Sequence, residues 1–435
     1  MGLVRCIYSA MTWAAQPLLR RKLRRRAQQE PGYAHAVPER FGHYVPENLG
    51  REAQGQWVWI HAVSLGETRA AAILIAALRA QWPQMRLLLT HSTATGREAG
   101  KALLRTGDVQ VWLPWDTQGA TARFLAQFRP WVGVLMETEV WPNLLAQCQR
   151  AQVPVVLANA RLNEKSLAGA LRWHSLAVPA YQSLGAVWPQ TAEDASRFAQ
   201  LQAPVQGVWG NLKFDVELPA ALLAQGARWR AQRQRPVLLL ASSREGEEAQ
   251  WLQAWQATLA HHPERAQAVQ WLIVPRHPQR FDAVAELLAQ AGLRVGRRST
   301  WTDAVDLQAE VWLGDSVGEM ALYYAMADVG LLGGSFEKLG GQNLIEAAAG
   351  GCPMVLGPYT FNFAQAAQDA CRAGAAVRVA DMTAAVETAL ALTEDTQRLH
   401  AMKAQAHNFA TAHRGAAQAT ARAIIEIATS QRGDR

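Results

Sequence analysis

At 435 residues the chain is too long for one ordinary hydrophobic core, and half of it is apolar, which excludes a disordered or low-complexity protein and makes two globular domains the expectation. The formal charge of +7 is local: residues 1 to 26 hold Arg5, Arg20, Arg21, Lys22, Arg24, Arg25 and Arg26 and no acid, so everything after them balances to zero. A single basic patch argues against nucleic acid as a partner, since that would want basic residues spread along a groove with stacking aromatics.

In chain order, the segment from Cys6 to Leu19 is apolar but interrupted by Gln16 and Pro17. It falls short of the roughly 20 residues that a spanning helix needs. Most of the charge follows the apolar run, opposite to a signal peptide. The pattern predicts a helix over residues 1–27 lying in a membrane interface, held by anionic lipid headgroups through Arg20 to Arg26, with the following domain on the cytoplasmic side. A surface helix with a solvated basic end is the alternative. Pro31 to Gly55 reads as a polar connector.

Alternation then sets in. Strands are expected at Trp57 to His61, Leu87 to Thr90, Val109 to Leu113, Trp131 to Met136, Val153 to Leu157, Ala186 to Trp188 and Val205 to Val208, with helical stretches between most of them. The pattern restarts at Val237 to Ala241 and continues through Trp271 to Val274, Leu293 to Val295, Glu310 to Leu313, Val329 to Leu332, Met354 to Leu356 and Ala376 to Val379. A helical stretch from Thr393 to Ser430 closes the chain. The expectation is α/β: two Rossmann-like domains, 28–209 and 210–435, facing a central cleft, with ligands at strand C-termini. The 17 tryptophans sit mostly in apolar context at strand ends, which suits core or rim packing.

The residues able to do chemistry gather at those strand ends. Glu67 closes SLGE, where the first strand turns into its helix; a helix N-terminus favours the ionised carboxylate and hence a base. Ser64-x-x-Glu67 is equally a capping box, and the same spacing recurs at Ser242 to Glu245 and Ser316 to Glu319. METEVWPN sets Glu137 and Glu139 at a strand mouth, and GNLKFD sets Lys213 at the domain junction, where it can pair with an acid or meet an anionic substrate. Arg276 can clamp a phosphate, while His277 precedes Pro278 as a turn residue. GDSVGEM offers backbone amides and Glu319. The glycine-rich loop from Gly333 to Gly341 brings bare N–H groups to a strand end, and Asn343 and Glu346 share a face of the next helix. Phosphate on the amides and a sugar diol on Glu346 would make a nucleotide site; a tight turn in an ordinary parallel sheet is the plain alternative. Cys6, Cys148, Cys352 and Cys371 are scattered, with no disulfide or zinc spacing, and no Cys/His cluster suggests a metal.

Taken together the motifs resemble one family, the 3-deoxy-D-manno-octulosonic acid (Kdo) transferases of GT-B fold. The resemblance runs through PERFG, HAVSLGETRAA, METEVWPN, NARL, GNLKFD, ASSREGEE, PRHPQRF, GDSVGEM, GGSFEKLGGQNLIEAAA and GPYTFNF. It implies transfer of Kdo from CMP-Kdo to the lipid A precursor, lipid IVA, in lipopolysaccharide biosynthesis at the cytoplasmic face of the inner membrane, with no cofactor. The expected route is a metal-independent direct displacement that inverts the anomeric centre, with a retaining covalent or front-face route as the alternative. It also implies Glu67 as general base, Glu137 and Lys213 in transition-state stabilisation, and CMP binding by Pro275, Arg276, Val317, Gly318, Glu319, Asn343, Leu344, Ile345 and Glu346. Two positions depart from the family pattern: Gln342 and Tyr359 stand where it usually has histidine. A GT-B epimerase or a transferase of another sugar is the alternative; an epimerase would stay fully active without residues 1 to 26. A non-enzymatic membrane-docking protein would bind no nucleotide.

Overall fold

Apolar runs separated by helices can satisfy their backbone groups only by pairing side by side, and they do so in two all-parallel sheets. The computed structural model describes residues 3–44, 57–412 and 414–433. The first sheet contains β1 (Trp57–His61), β2 (Arg86–His91), β3 (Val109–Trp112), β4 (Val132–Met136), β5 (Val155–Ala160) and β6 (Ala186–Pro189), in the order β3-β2-β1-β4-β5-β6. The second contains β7 (Val237–Ser243), β8 (Gln270–Pro275), β9 (Val295–Arg297), β10 (Val311–Leu313), β11 (Val329–Leu332), β12 (Met354–Leu356) and β13 (Ala376–Arg378), in the order β13-β12-β11-β7-β8-β10-β9. Central strands such as β1, β4, β7 and β8 are buried along their whole length, because helices cover both sheet faces. Strand order reverses between β1 and β4 in one sheet and between β7 and β11 in the other, so those strand ends flank the natural binding crevice of each.

The chain divides into two compact units, Met1–Asp215 with Arg414–Arg435, and Val216–His413. The junction expected at residue 210 thus lies after GNLKFD. The closing stretch, expected as one helix of the second domain, is two helices, Thr396–Ala412 and Ala416–Gly433, and the last belongs to the first unit. Gly415, at φ +106°, breaks the run. Beyond it Ala417, Ala421, Ile424 and Ala428 form a buried stripe in one cluster with Ala70, Ala71, Leu74 and Leu78 of α3 (Leu65–Gln81). The Asp215 carboxylate accepts from the amides of Gly415 and Ala417, tying GNLKFD to the start of that helix. The run Val205 to Val208 makes only a single bridge, between Val205 and Val187.

At the N-terminus two helices replace the one expected: α1 (Leu3–Ala14) and α2 (Gln16–Gln29), with Pro17 in the first turn of α2, where it is tolerated. Tyr8 donates its hydroxyl to Asp116 at 2.8 Å and Ser9 donates to Asn143 at 2.8 Å, fastening α1 to the first unit. No helix among the described residues is long and apolar enough to cross a membrane. PERFG is structural: Arg40 is buried with its guanidinium 3.8 Å from the Trp112 ring centre, and Glu39 accepts from the Trp112 amide at 2.8 Å. Residues 45 to 55 of the expected connector lie outside the described residues. Trp59, Trp112, Trp188, Trp229, Trp251, Trp271 and Trp312 are fully buried, as core packing requires.

Candidate active site

In the first unit, β1 ends at His61 and the chain turns through Val63 and Ser64 into α3. Both readings of Ser64-x-x-Glu67 apply. Ser64 caps the helix by accepting from the Glu67 amide at 3.4 Å, while the Glu67 carboxylate accepts from the Val63 amide at 2.8 Å and from the Ser64 hydroxyl at 3.1 Å. The pull of the helix terminus toward a low pKa is outweighed here. Burial, reinforced by the charges of Glu137 and Glu139, pushes its pKa up to about 7. The other two Ser-x-x-Glu repeats are not boxes: Ser316 does bond Glu319, but the helix there begins only at Met320, and Glu245 pairs instead with Arg244.

Glu137 follows β4, across the strand-order reversal from β1. Its carboxylate lies 3.8 Å from Arg161, and its backbone sits at φ +57°, a left-handed conformation uncommon for a residue with a side chain. The geometry is forced by its neighbours, since the Glu137 amide donates to Ala158 and its carbonyl accepts from Arg161. Asn159 at φ +53° and Ser242 at φ +57° repeat the device near the ends of β5 and β7. Such strain gathers where side chains must be aimed. Glu139 is partly buried, which raises its pKa, and it accepts from the Trp141 indole at 2.8 Å. Three carboxylates therefore share one end of the sheet. If Glu137 is replaced, Glu137→Gly should be more stable than Glu137→Ala by roughly 1 kcal/mol, because only alanine keeps the left-handed strain; urea unfolding of the pair measures it.

Lys213 rides on the short turn Leu212–Asp215. Asn159 accepts from the Leu212 amide at 3.0 Å and Asn211 from the Lys213 amide at 3.0 Å, so NARL and GNLKFD interlock. Leu212 packs in the same cluster as α3, the helix that Glu67 opens.

In the second unit, Pro275 ends β8 and the Arg276 amide donates to Ser243 of β7 at 2.9 Å. Val317 is 74% exposed beside Gly318, whereas the Glu319 carboxylate is paired with Arg298 at 2.9 Å. Asn343 caps the short helix Leu344–Ala349 by accepting from the Ile345 amide, and its side-chain amide donates to Glu346 at 2.9 Å, so the pair expected to share a face does so. Leu344 and Ile345 bury their side chains in the core and can offer a ligand only backbone. The expectation that the glycine-rich loop presents bare amides is corrected. Gly334 and Phe336 donate to the carboxylate of Glu247, and Gly341 and Gln342 donate to the carbonyls of Gly334 and Gly333. The Tyr359 amide donates to Ser335, so both departing positions are tied by backbone to this loop. Glu247 was not singled out from sequence; its position two residues after a Ser-x-x-Glu repeat hid it.

The Kdo transferase family model, "3-Deoxy-D-manno-octulosonic-acid transferase (kdotransferase)", matches residues 35–216. A 3-deoxy-D-manno-octulosonic acid transferase of Bordetella pertussis is 44% identical over 430 residues, covering 97% of this chain and 98% of that protein. One from Haemophilus influenzae is 33% identical over 365 residues, 82% of this chain and 83% of that protein. A glycosyltransferase from Rickettsia africae shares the fold at a TM-score of 0.54 and 10% identity, covering 87% of this chain and 98% of that one. Identity that extends across both parallel-sheet units, and not only the stretch around Glu67 and Glu137, means that the chain belongs to the Kdo transferase family of GT-B glycosyltransferases.

Proposed function

We propose that the protein moves Kdo from CMP-Kdo to lipid IVA, the lipid A precursor, with Glu67 as the general base. The observation that carries this is the Glu67 carboxylate: it is held by the Val63 amide and the Ser64 hydroxyl, and burial sets its pKa at about 7, where a base works best at neutral pH. The acceptor's sugar hydroxyl gives its proton to Glu67 as its oxygen attacks the anomeric carbon; the bond from that carbon to the CMP phosphate breaks, and CMP leaves. A single direct displacement inverts the anomeric centre. Glu137 supplies negative charge for the cationic character that develops on the sugar, and Lys213 supplies a cation for the donor's acidic groups. Arg276, with Asn343 and Glu346, is assigned to CMP, and the leaving phosphate is met by Arg276 rather than by a metal ion.

The acceptor is a lipid, and the N-terminal helices suit a membrane surface at the cytoplasmic face of the inner membrane. Leu3, Val4, Ile7 and Met11 recur at helical spacing on α1 and are exposed, as are Trp13 and Leu18. Arg21, Lys22, Arg25 and Arg26 line a groove along α2 with Leu18 and Gln29. Apolar residues beside a basic groove describe a helix pair lying in the headgroup region of an anionic bilayer. The test is mass spectrometry of lipid IVA after incubation with the purified protein and freshly made CMP-Kdo. A product heavier by whole Kdo units is expected; an unchanged mass with CMP still bound would discard the donor sugar or the acceptor.

A further inference from the structure

We propose that Glu247 and Glu248 are positioning residues for the donor: Glu247 stands in for an anion inside the glycine-rich loop, and Glu248 locks the turn that carries Arg276. The proposal rests on the reading above, that Arg276, Asn343 and Glu346 hold CMP. Strand order in the second sheet reverses between β7 and β11, and the helix Glu247–His261 starts directly after β7 at that reversal. Two successive acids in its first turn are fully buried, at 0% and 1% exposure. A buried carboxylate persists only where donors surround it.

Glu247 is surrounded by backbone. One oxygen accepts from the amides of Arg244 at 2.8 Å and Gly334 at 2.7 Å; the other accepts from Phe336 at 3.1 Å. This is the arrangement by which a loop grips a phosphate, filled here by the chain's own side chain. The loop is closed from its other sides as well. Gly333 lies so near β7 that a Cβ would come within 2.3 Å of the Ser242 carbonyl oxygen, and the Ser335 hydroxyl accepts from the Gly357 amide at 2.8 Å. Asn343 and Glu346 follow this loop directly, so their placement depends on its shape.

Glu248 faces the neighbouring turn. It forms a two-pronged pair with Arg280, both contacts at 2.8 Å, and accepts from the Ser243 hydroxyl at 2.6 Å. Ser243 in turn accepts on its carbonyl from the Arg276 amide at 2.9 Å and from Arg280 at 3.4 Å. Paired forks of this kind fix orientation as well as distance. A single helical turn therefore holds the glycine-rich loop through Glu247 and, through Glu248 and Ser243, the turn that carries Arg276.

The experiment measures CMP binding and steady-state kinetics for the parent, Glu247→Gln, Glu248→Gln and a control, Glu394→Gln, which removes an acid from the exposed pair with Arg265. Glutamine at 247 leaves one oxygen for three amide donors and turns an NH2 group toward them. At least a tenfold loss of CMP affinity is expected for Glu247→Gln, with KM for the donor rising more than kcat falls, a similar split for Glu248→Gln and no change in the control. Parent-like CMP affinity and KM in folded Glu247→Gln would overturn the proposal, as would a lowered melting temperature without the KM-to-kcat split. A parent that binds no CMP would sink the donor reading itself, and the positioning role with it. If Glu247→Gln fails to fold, amide exchange on the unchanged protein decides: residues 334 to 336 must be protected before CMP is added, and protection that appears only with CMP refutes the internal anion.

Discussion

Glu67→Gln should lower Kdo transfer by about 10²–10⁴-fold while CMP binding stays at the parent level. Glutamine keeps the shape of the side chain and one acceptor for the cap, but it cannot take a proton from the attacking hydroxyl. The pH profile carries a second, sharper signature. Because burial raises the Glu67 pKa to about 7, its basic form is populated above that value and lost below it. The parent's kcat/KM should therefore fall about tenfold per pH unit as pH drops below 7, and this acid limb should vanish in the variant. Stability moves the other way. The folded chain holds this proton more tightly than the unfolded chain, so the proton-linked stability is complete below about 4.5 and is lost as pH rises through about 7. Glu67→Gln buries no charge above pH 7, which offsets the weakened cap, and its melting temperature at pH 8 should stay within a few degrees of the parent's. Near-normal turnover, or an acid limb that survives the substitution, would remove Glu67 from the mechanism.

The triple substitution Leu3→Asp, Ile7→Asp, Met11→Asp should release the protein from anionic vesicles and cut transfer to lipid IVA by 10²-fold or more, with CMP affinity unchanged. All three side chains lie on the outer face of α1 and are more than half exposed, so the change costs the fold little. Burying such a side chain in an apolar phase stabilises by about 1.5–3 kcal/mol, so three half-buried in a bilayer would contribute on the order of 3 kcal/mol to membrane binding. The basic residues of α2 add about 1 kcal/mol each near an anionic surface, a share that salt screens and the apolar share resists. Vesicle sedimentation at low and high salt separates the two. Equal sedimentation of variant and parent would place the membrane contact elsewhere, and a parent that ignores vesicles altogether would leave α1 a plain surface helix.

Much of the fold could be read from the chain because central parallel strands are buried on both faces and announce themselves as unbroken apolar runs, as at Val237 to Ala241 and Val329 to Leu332. The edges were less legible. Leu293 to Val295 shifts to β9 at Val295–Arg297, and Val205 to Val208 forms no strand, since an edge position demands little of its side chains. The clustering of Glu67, Glu137 and Glu139 was foreshadowed only as acids at strand ends; which ends adjoin depends on strand order, and β1 lies beside β4 although some seventy residues separate them in the chain.

The sequence by itself determined the α/β class, the family, the two restarting halves and the Ser64–Glu67 cap, because each depends on local pattern or on ordered motifs. Tertiary structure decided what local pattern cannot carry. It gave the last helix to the first unit, because the stripe at Ala417, Ala421, Ile424 and Ala428 matches α3 and Asp215 caps its start. It raised the Glu67 pKa against the pull of the helix terminus, because desolvation depends on what packs around the carboxylate. It also filled the glycine-rich loop with Glu247, a partner 87 residues away from Gly334, because the amides of a loop bind whichever anion the fold brings to them.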